Sequence, residues 1–362
     1  MPASPENGAQ MAPRVLVAIN DAELAILRLV AMHLRDGRGQ PDWRQARLAE
    51  GQMLRARIAR MITYLAGAVA SEVNSIVLDA YNRGQALAMA DLDLFLVPVL
   101  IADDAVDTSA VIAQSTVDTI VQAMKLIPDM VIATLREAVA AGRDSNVAGD
   151  VAALQRSQKI LERLASRGFA GFSYGPECDW SLEEYAEMAV SAGAGRAAVQ
   201  GHVDALAASG MDLVLVSVSP EACQICCPFE RQVLSISGRV GRVLEPNGDE
   251  VSASVTDVKA SLAGAIAKGL FHAGCRHELS AYLPGVTRTD VVLSTQRRPR
   301  PEQREHDVER KVRQWKRREA VALDALTRRR AAEEVRMWRM ESHRAHNELT
   351  RPEGKWRPRS PG

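Results

Sequence analysis

A chain of 362 residues, 47% hydrophobic and 25% charged, has enough apolar material for two or three globular domains and does not have the composition of a disordered protein. Its 45 Lys/Arg and 45 Asp/Glu cancel to a formal charge of zero, so attraction to nucleic acid or membrane must come from local patches. Residues 1–13 lack the basic start and apolar middle of a signal peptide, and no apolar run reads as long enough to span a bilayer, so a soluble protein made in the cytoplasm, with no membrane contact, is expected.

The first two hundred residues read as successive helices. Asn20 and Glu23 form a capping-box pair ahead of an apolar-periodic run to Met32. Pro41 and Asp42 start a second helix, in which Trp43, Ala46, Leu48, Met53, Ile58, Met61 and Leu65 roughly follow helical spacing, and which can pass Gly67 toward Arg83. A third unit, Asp103 to Ala141, contains Pro128, which should kink or split it, because proline lacks the N–H and clashes with the preceding turn. A fourth, Val147 to Arg167, stops at Gly168. The Gly/Ser/Pro-rich segment Phe169 to Glu177 reads as a linker or ordered loop. Ser181 and Glu184 then make a Ser-x-x-Glu box that opens a helix ending near Ser209-Gly210. No phosphate-binding glycine loop, Ser-His-Asp set or His-Glu-x-x-His motif occurs in this half.

At Met211 the texture changes. Asp212 to Ser219 is rich in β-branched residues and reads as a strand; a second strand is expected at Gln232 to Ser237, a hairpin or loop at Gly238 to Gly248, and a last strand at His277 to Leu283. Between them, Thr256 is placed to cap a short helix bearing Val258, Leu262, Ile266 and Leu270. Beyond Thr287 the chain is highly charged, and Glu302 to Leu349, without Pro or Gly, reads as one long helix. Residues 291–362 hold 20 Lys/Arg against 11 Asp/Glu, a net +9 that leaves −9 on the remainder. Lys316, Arg317, Arg318, Arg328, Arg329 and Arg330 are the candidate contacts there for nucleic acid or a partner protein, although a charge run also serves simply as a solvated face.

The fold class expected is therefore α+β: a mainly helical N-terminal region (1–168), a linker and connecting helix (169–210), a small metal-stapled α+β module (211–290) and a long basic C-terminal helix and tail (291–362). The staple is inferred from the cysteines. Of five, Cys178 stands apart, while Cys223-x2-Cys226 is followed after a strand, a loop and a helix by His272-x2-Cys275. Two ligands separated by two residues face one point when the backbone between them turns tightly, and two such knuckles supply the tetrahedral Cys3His set of a structural zinc site. Such a set leaves no open position, so the metal would hold the fold and not activate water. Competing arrangements are reduced buried thiols, a disulfide formed in air, and a redox pair. Cys227 can replace Cys226, and His277 can replace His272. The His-x-Glu before Pro-Cys-x-x-Cys order of zinc deaminases is not present, so no catalytic residue and no enzyme activity are expected.

Taken together, Trp180-Ser-Leu-Glu-Glu-Tyr185, Gly210-Met-Asp-Leu-Val-Leu-Val-Ser217, Cys223-Gln-Ile-Cys226-Cys-Pro-Phe229-Glu230, Val233-Leu-Ser-Ile-Ser-Gly238, His272-Ala-Gly-Cys275-Arg276-His277 and Tyr282-Leu-Pro-Gly285 resemble, in order and spacing, the minor capsid proteins of tailed phages, akin to the Mu-type minor head proteins. The resemblance extends to the Arg/Lys/Trp segment Glu309 to Arg318. It implies a structural protein of the phage head, made in the host cytoplasm and carried in the virion. It further implies association with the portal vertex or inner capsid and a part in head assembly or in DNA packaging and delivery. Its partners would be the portal protein, the major capsid protein or both, and packaged DNA through the C-terminal region, with several copies around a symmetric vertex. The alternative is a zinc-stapled DNA-binding protein acting through its basic C-terminal helix.

Overall fold

A computed structural model describes residues 3, 13–36, 42–94, 97, 105–141, 149–173, 179–219, 222–246, 253–272, 275, 277–287 and 301–350. The helices are α1 (Pro13–Arg35), α2 (Trp43–Ala49), α3 (Gly51–Leu94), α4 (Ala105–Met124), α5 (Ile127–Ala141), α6 (Gly149–Arg167), α7 (Leu182–Ala208), α8 (Leu262–Ala267), α9 (Pro301–Ala320) and α10 (Ala325–Thr350). The strands are β1 (Ala170–Ser173), β2 (Asp179–Ser181), β3 (Leu213–Val216), β4 (Val233–Ser235), β5 (Gly241–Pro246), β6 (Ala253–Ser261) and β7 (Leu279–Ala281). The expected α+β class holds. The chain forms two compact units, each assembled from three separated segments: residues 1–19, 63–124 and 183–296, and residues 20–62, 125–182 and 297–362.

The first unit contains a five-stranded mixed sheet of order β5-β6-β4-β3-β7, in which only β4 and β6 run parallel. Its apolar core brings Ala88 and Leu92 of α3 and Val199, Val203 and Leu206 of α7 against Val214, Leu234 and Leu279 of the sheet. The two helices approach closely enough to require glycine. A Cβ on Gly84 would lie 1.9 Å from the Ala198 carbonyl oxygen, and one on Gly201 2.1 Å from that of Tyr81. Beside this crossing the Tyr81 hydroxyl donates to Asp204 Oδ2 at 2.6 Å. The sheet's β7 edge is met by Ala3, which exchanges two backbone hydrogen bonds with Leu279.

The helix expected to start at Thr256 is instead strand β6. Thr256 and Val258 are buried while Val255, Asp257 and Lys259 are exposed, the period of two of a half-buried strand. The helix begins only at Leu262, capped by Ser261, whose Oγ accepts from the Gly264 N–H at 3.0 Å. One window of the long α3 has the length and apolarity of a membrane span, mean hydropathy 1.4, contrary to the expectation that no run reaches that length; a third of it is buried.

The second unit packs α2, α5, α6, α9 and α10 with part of α1 and the β1–β2 pair. As expected, the stretch around Pro128 is split, with α4 ending at Met124 and α5 beginning at Ile127, and α6 ends before Gly168, whose φ is +70°. Asn20 and Glu23, however, lie inside α1, which starts at Pro13. Glu23 is no cap: it is buried, and its carboxylate accepts the Phe169 N–H at 2.9 Å and the Arg317 guanidinium at 3.3 Å.

The single long C-terminal helix is also corrected. Residues 321–324 break it into two helices that fold back antiparallel, since Arg304 near the start of α9 meets Glu341 near the end of α10 at 2.7 Å, and Glu305 meets His346 at 3.0 Å. No Pro or Gly is needed for this break. Val321, Ala322 and Leu323 are buried, the Leu323 N–H donates to Gln158 Oε1 at 2.8 Å, and Asp324 caps α10 by accepting from the Thr327 N–H at 2.8 Å.

Candidate metal centre

Both cysteine-bearing knuckles fold as the same tight turn. The Cys226 and Cys227 N–H groups donate to the Cys223 carbonyl at 3.1 and 3.0 Å, and the Cys275 N–H donates to the His272 carbonyl at 2.9 Å. Each turn points its two ends the same way, which is why ligand types spaced by two residues can converge. The first continues into a 3₁₀ turn, Cys227–Phe229, and leads to β4; the second lies between α8 and β7. Among the described residues, the two non-glycine positions with positive φ, Arg231 at 57° and Phe271 at 60°, flank these knuckles. Backbone strain of this kind persists where surrounding contacts over-determine the conformation.

The turns bring the four expected residues into two neighbouring groups that share Cys226. Cys223 Sγ lies 3.1 Å from His272 Nε2, and Cys226 Sγ lies 3.7 Å from Cys275 Sγ. Zinc–sulfur bonds of about 2.3 Å would place two tetrahedral sulfurs about 3.8 Å apart, so the Cys226–Cys275 edge already has the length a bound zinc requires. A fifth donor joins them, for His277 Nδ1 lies 3.3 Å from Cys275 Sγ. Cys223, Cys226 and His272, and separately Cys226, Cys275 and His277, have donor atoms within 4.8 Å of one another, so these cysteines with either histidine lie close enough to hold a metal ion. Cys227 is exposed and belongs to neither group.

His277 is held by a further shell. Its Nε2 donates to Glu230 Oε1 at 3.0 Å, and the same oxygen accepts the Ser219 N–H at 2.8 Å. With the proton on Nε2, the Nδ1 lone pair faces the sulfurs, the arrangement by which a carboxylate orients a metal-binding imidazole. Sequence reading kept His277 only as a substitute and assigned Glu230 no role. The available signal was the spacing Cys275-x-His277, which in an extended chain puts both side chains on one side. His277 precedes β7 and is not inside it.

The electrostatics favour thiolate at Cys223 and Cys275 and the thiol at Cys226. The Cys226 backbone N–H, ahead of the His272 contact, lowers the Cys223 pKa to about 7. Burial, then repulsion from Cys275, pushes Cys226 far up. Burial works most strongly against a Cys275 thiolate, yet the side chain, backbone N–H and charge of a protonated His277 together outweigh it and the net shift is downward. His277 itself is raised: burial opposes its charge, but Cys275 and Glu230 more than compensate. A divalent cation would relieve the cost of gathering deprotonated sulfurs in this apolar setting, which is what the donor set is chemically suited to.

A family model described as Phage minor capsid protein 2 matches residues 6–346. The chain belongs to this family. The phage minor capsid assignment thus covers both compact units and both knuckles. It supports a virion protein of structural character. No curated protein and no solved structure matches the chain.

The six cationic residues singled out in the C-terminal region divide sharply. Arg317 is 6% exposed, donating to the Ala165 carbonyl at 2.9 Å and pairing with Glu23, and so is a structural residue and no surface contact. Lys316 is half-buried, and burial followed by repulsion from Arg339 lowers its pKa. Arg318 stacks over the Trp315 ring at 4.5 Å. Arg328, Arg329 and Arg330, by contrast, are exposed at the start of α10. Cys178, Arg297, Arg298 and Arg300 lie outside the described residues.

Proposed function

We propose that this minor capsid protein is a non-enzymatic component of the phage head, associated with the portal vertex or inner capsid, whose sheet module folds around one structural zinc ion. The observation that carries the structural reading is the placing of the sulfurs. Cys226 and Cys275 belong to the same apolar cluster as Leu234, Phe271 and Leu279, so an ion held there would be enclosed in the module's own packing and not presented in a substrate cleft. The ligand set proposed is Cys223, Cys226 and Cys275 with His272, with His277 and Glu230 ordering the Cys275 side. The role proposed is in head assembly or in DNA packaging and delivery, with the portal or major capsid protein as partner and several copies at a symmetric vertex, a reading that family membership supports. The exposed Arg328, Arg329 and Arg330 give α10 a cationic surface for a protein partner or packaged DNA. Elemental analysis of purified protein tests the metal, with one zinc per chain expected and its loss on Cys275→Ser. Imaging of assembled particles tests the location: density for the protein at the portal vertex or inner capsid supports it, and density confined to the outer shell overturns it.

A further inference from the structure

Along α6 in the second unit, Arg156, Lys159 and Arg163 follow at intervals of three and four residues and so share one face of the helix. They line an open groove of about 630 Å³ that Arg318 of α9 enters from the other side, above a floor that includes Ile160 and Ala141. Among the described lining residues four cations thus meet one carboxylate, that of Glu162, which already accepts from Gln158 at 2.9 Å. Like charges at this spacing repel one another, so the gathering is costly unless an anion joins it. We propose that this groove binds the phosphodiester backbone of a nucleic acid strand, independently of the cysteine centre.

The cations are arranged to serve that ligand. Arg156 is fixed by its Nε, which donates to the Ala141 carbonyl at 2.9 Å, leaving the terminal nitrogens directed to other acceptors. The Arg318 guanidinium carbon lies over the Trp315 ring at 4.5 Å from its centre, and its buried Nε has no partner among the described residues. A stacked guanidinium presents its edge as a fork, which matches phosphate in two parallel hydrogen bonds. Lys159 adds a mobile point charge, and the Arg163 pairing with Glu137 is exposed on both sides, so water and salt keep it weak and exchangeable. At 1.5 Å per helical residue, Arg156 to Arg163 covers about 10 Å, the axial length of about three phosphates of one strand. An acidic protein segment would need apolar anchors for stable docking, and Ile160 is itself buried and offers it little. Contacts to phosphate carry no sequence information, so the binding is expected to be independent of sequence.

The test uses the full chain and a fluorescein-labelled DNA duplex of mixed sequence, with anisotropy followed from low to physiological salt. Wild type is expected to bind with an affinity that falls linearly in log salt. K159E/R163E, and in a second preparation the milder K159Q/R163Q, is expected to weaken binding about tenfold or more and to flatten the salt slope by about two, one unit for each lost phosphate contact. Thermal melting of both variants reports whether they fold. Unchanged binding in the folded groove variants overturns the proposal; if R328Q/R329Q/R330Q alone then loses binding, the contact belongs to α10. Equal displacement of the DNA by polyglutamate also overturns it, by showing a general taste for acidic chains.

Discussion

Strands β3, β4 and β7 are four, three and three residues long, whereas α9 and α10 run for 20 and 26. A three-residue strand makes too few ladder hydrogen bonds to offset the entropy of ordering it, and its partners lie far away in sequence: Leu215 pairs with Val233 on one side and Ser280 on the other. The helix pair closes most of its hydrogen bonds within four residues and adds local ion pairs such as Arg313–Glu309 at 3.5 Å. In the sheet module two distant segments meet at the turns Cys223–Cys226 and His272–Cys275. The helix pair depends instead on its buried turn and on the internal charge network of Glu23 and Arg317.

The deepest difference is exposed by chelation. Structural zinc contributes binding free energy of order 10 kcal/mol in small zinc-folded domains, so if the module holds zinc as proposed, chelation, or replacing Cys226 by Ser, is expected to unfold it while α9 and α10 stay helical. Hydrogen exchange resolves the two directly, with protection lost in β3, β4 and β7 and kept in α9 and α10; loss of both together would end the contrast. Next in size is Arg317→Met. It strands the buried Glu23 carboxylate and should cost about 3 to 5 kcal/mol in a chemical denaturation series. Adding Glu23→Leu is expected to restore part of that loss, because the stranded charge has gone, although the Phe169 N–H and Ala165 carbonyl remain without their partners. A double variant no better than the single would show that the packing of Arg317, and not its charge, matters.

A third comparison lies inside the first unit. His202 on α7 is wholly buried, with Asp91 Oδ2 3.7 Å away, and burial depresses its pKa from 6.5 to about 4 despite the opposing pull of that carboxylate. The folded state holds the imidazole neutral while the unfolded chain takes up a proton near pH 6.5, so the contribution is fully present above that pH and is lost as pH falls toward 4. The loss across that window is about 3 kcal/mol at most. Denaturation midpoints at several pH values, compared with those of His202→Leu, should show a shallower acid slope in the variant. Parallel slopes would place the acid sensitivity elsewhere.

What could be read without coordinates was local. Pro128 marks a helix break because of its own missing N–H, Gly168 and Gly210 end helices with φ of +70° and +80°, and the metal-centre cysteines and histidine announce themselves by spacing. What could not be read was settled by partners far along the chain. Val258, Leu262, Ile266 and Leu270 keep helical intervals, but β5 offers Val258 and its neighbours a ladder from Gly241 to Pro246, and Ile266 ends up 41% exposed. Glu23 has the spacing of a cap, yet its partners are Phe169 and Arg317, 146 and 294 residues away. His277 and Glu230 required the fold to bring a residue beside β7 next to one beside β4.

The turn between α9 and α10 shows how little local chemistry suffices once distant contacts permit it. Residues 302–349 contain no helix breaker, and the helix would run on if Val321, Ala322 and Leu323 had nowhere to be buried. Asp324 then needs only to supply the cap, accepting both the N–H and the hydroxyl of Thr327 at 2.8 and 2.7 Å. These bonds, with that of Leu326, hold its carboxyl below the ordinary aspartate range. Asp324→Ala is accordingly expected to cost about 1 kcal/mol, the ordinary value of a lost N-cap, and to leave the antiparallel pairing intact. Spin labels on Arg304 and Glu341 should report the same short separation in the variant as in Asp324 protein. A long separation would mean that the cap itself makes the turn, and that this region is as dependent on one tie as the sheet module is on its cysteines.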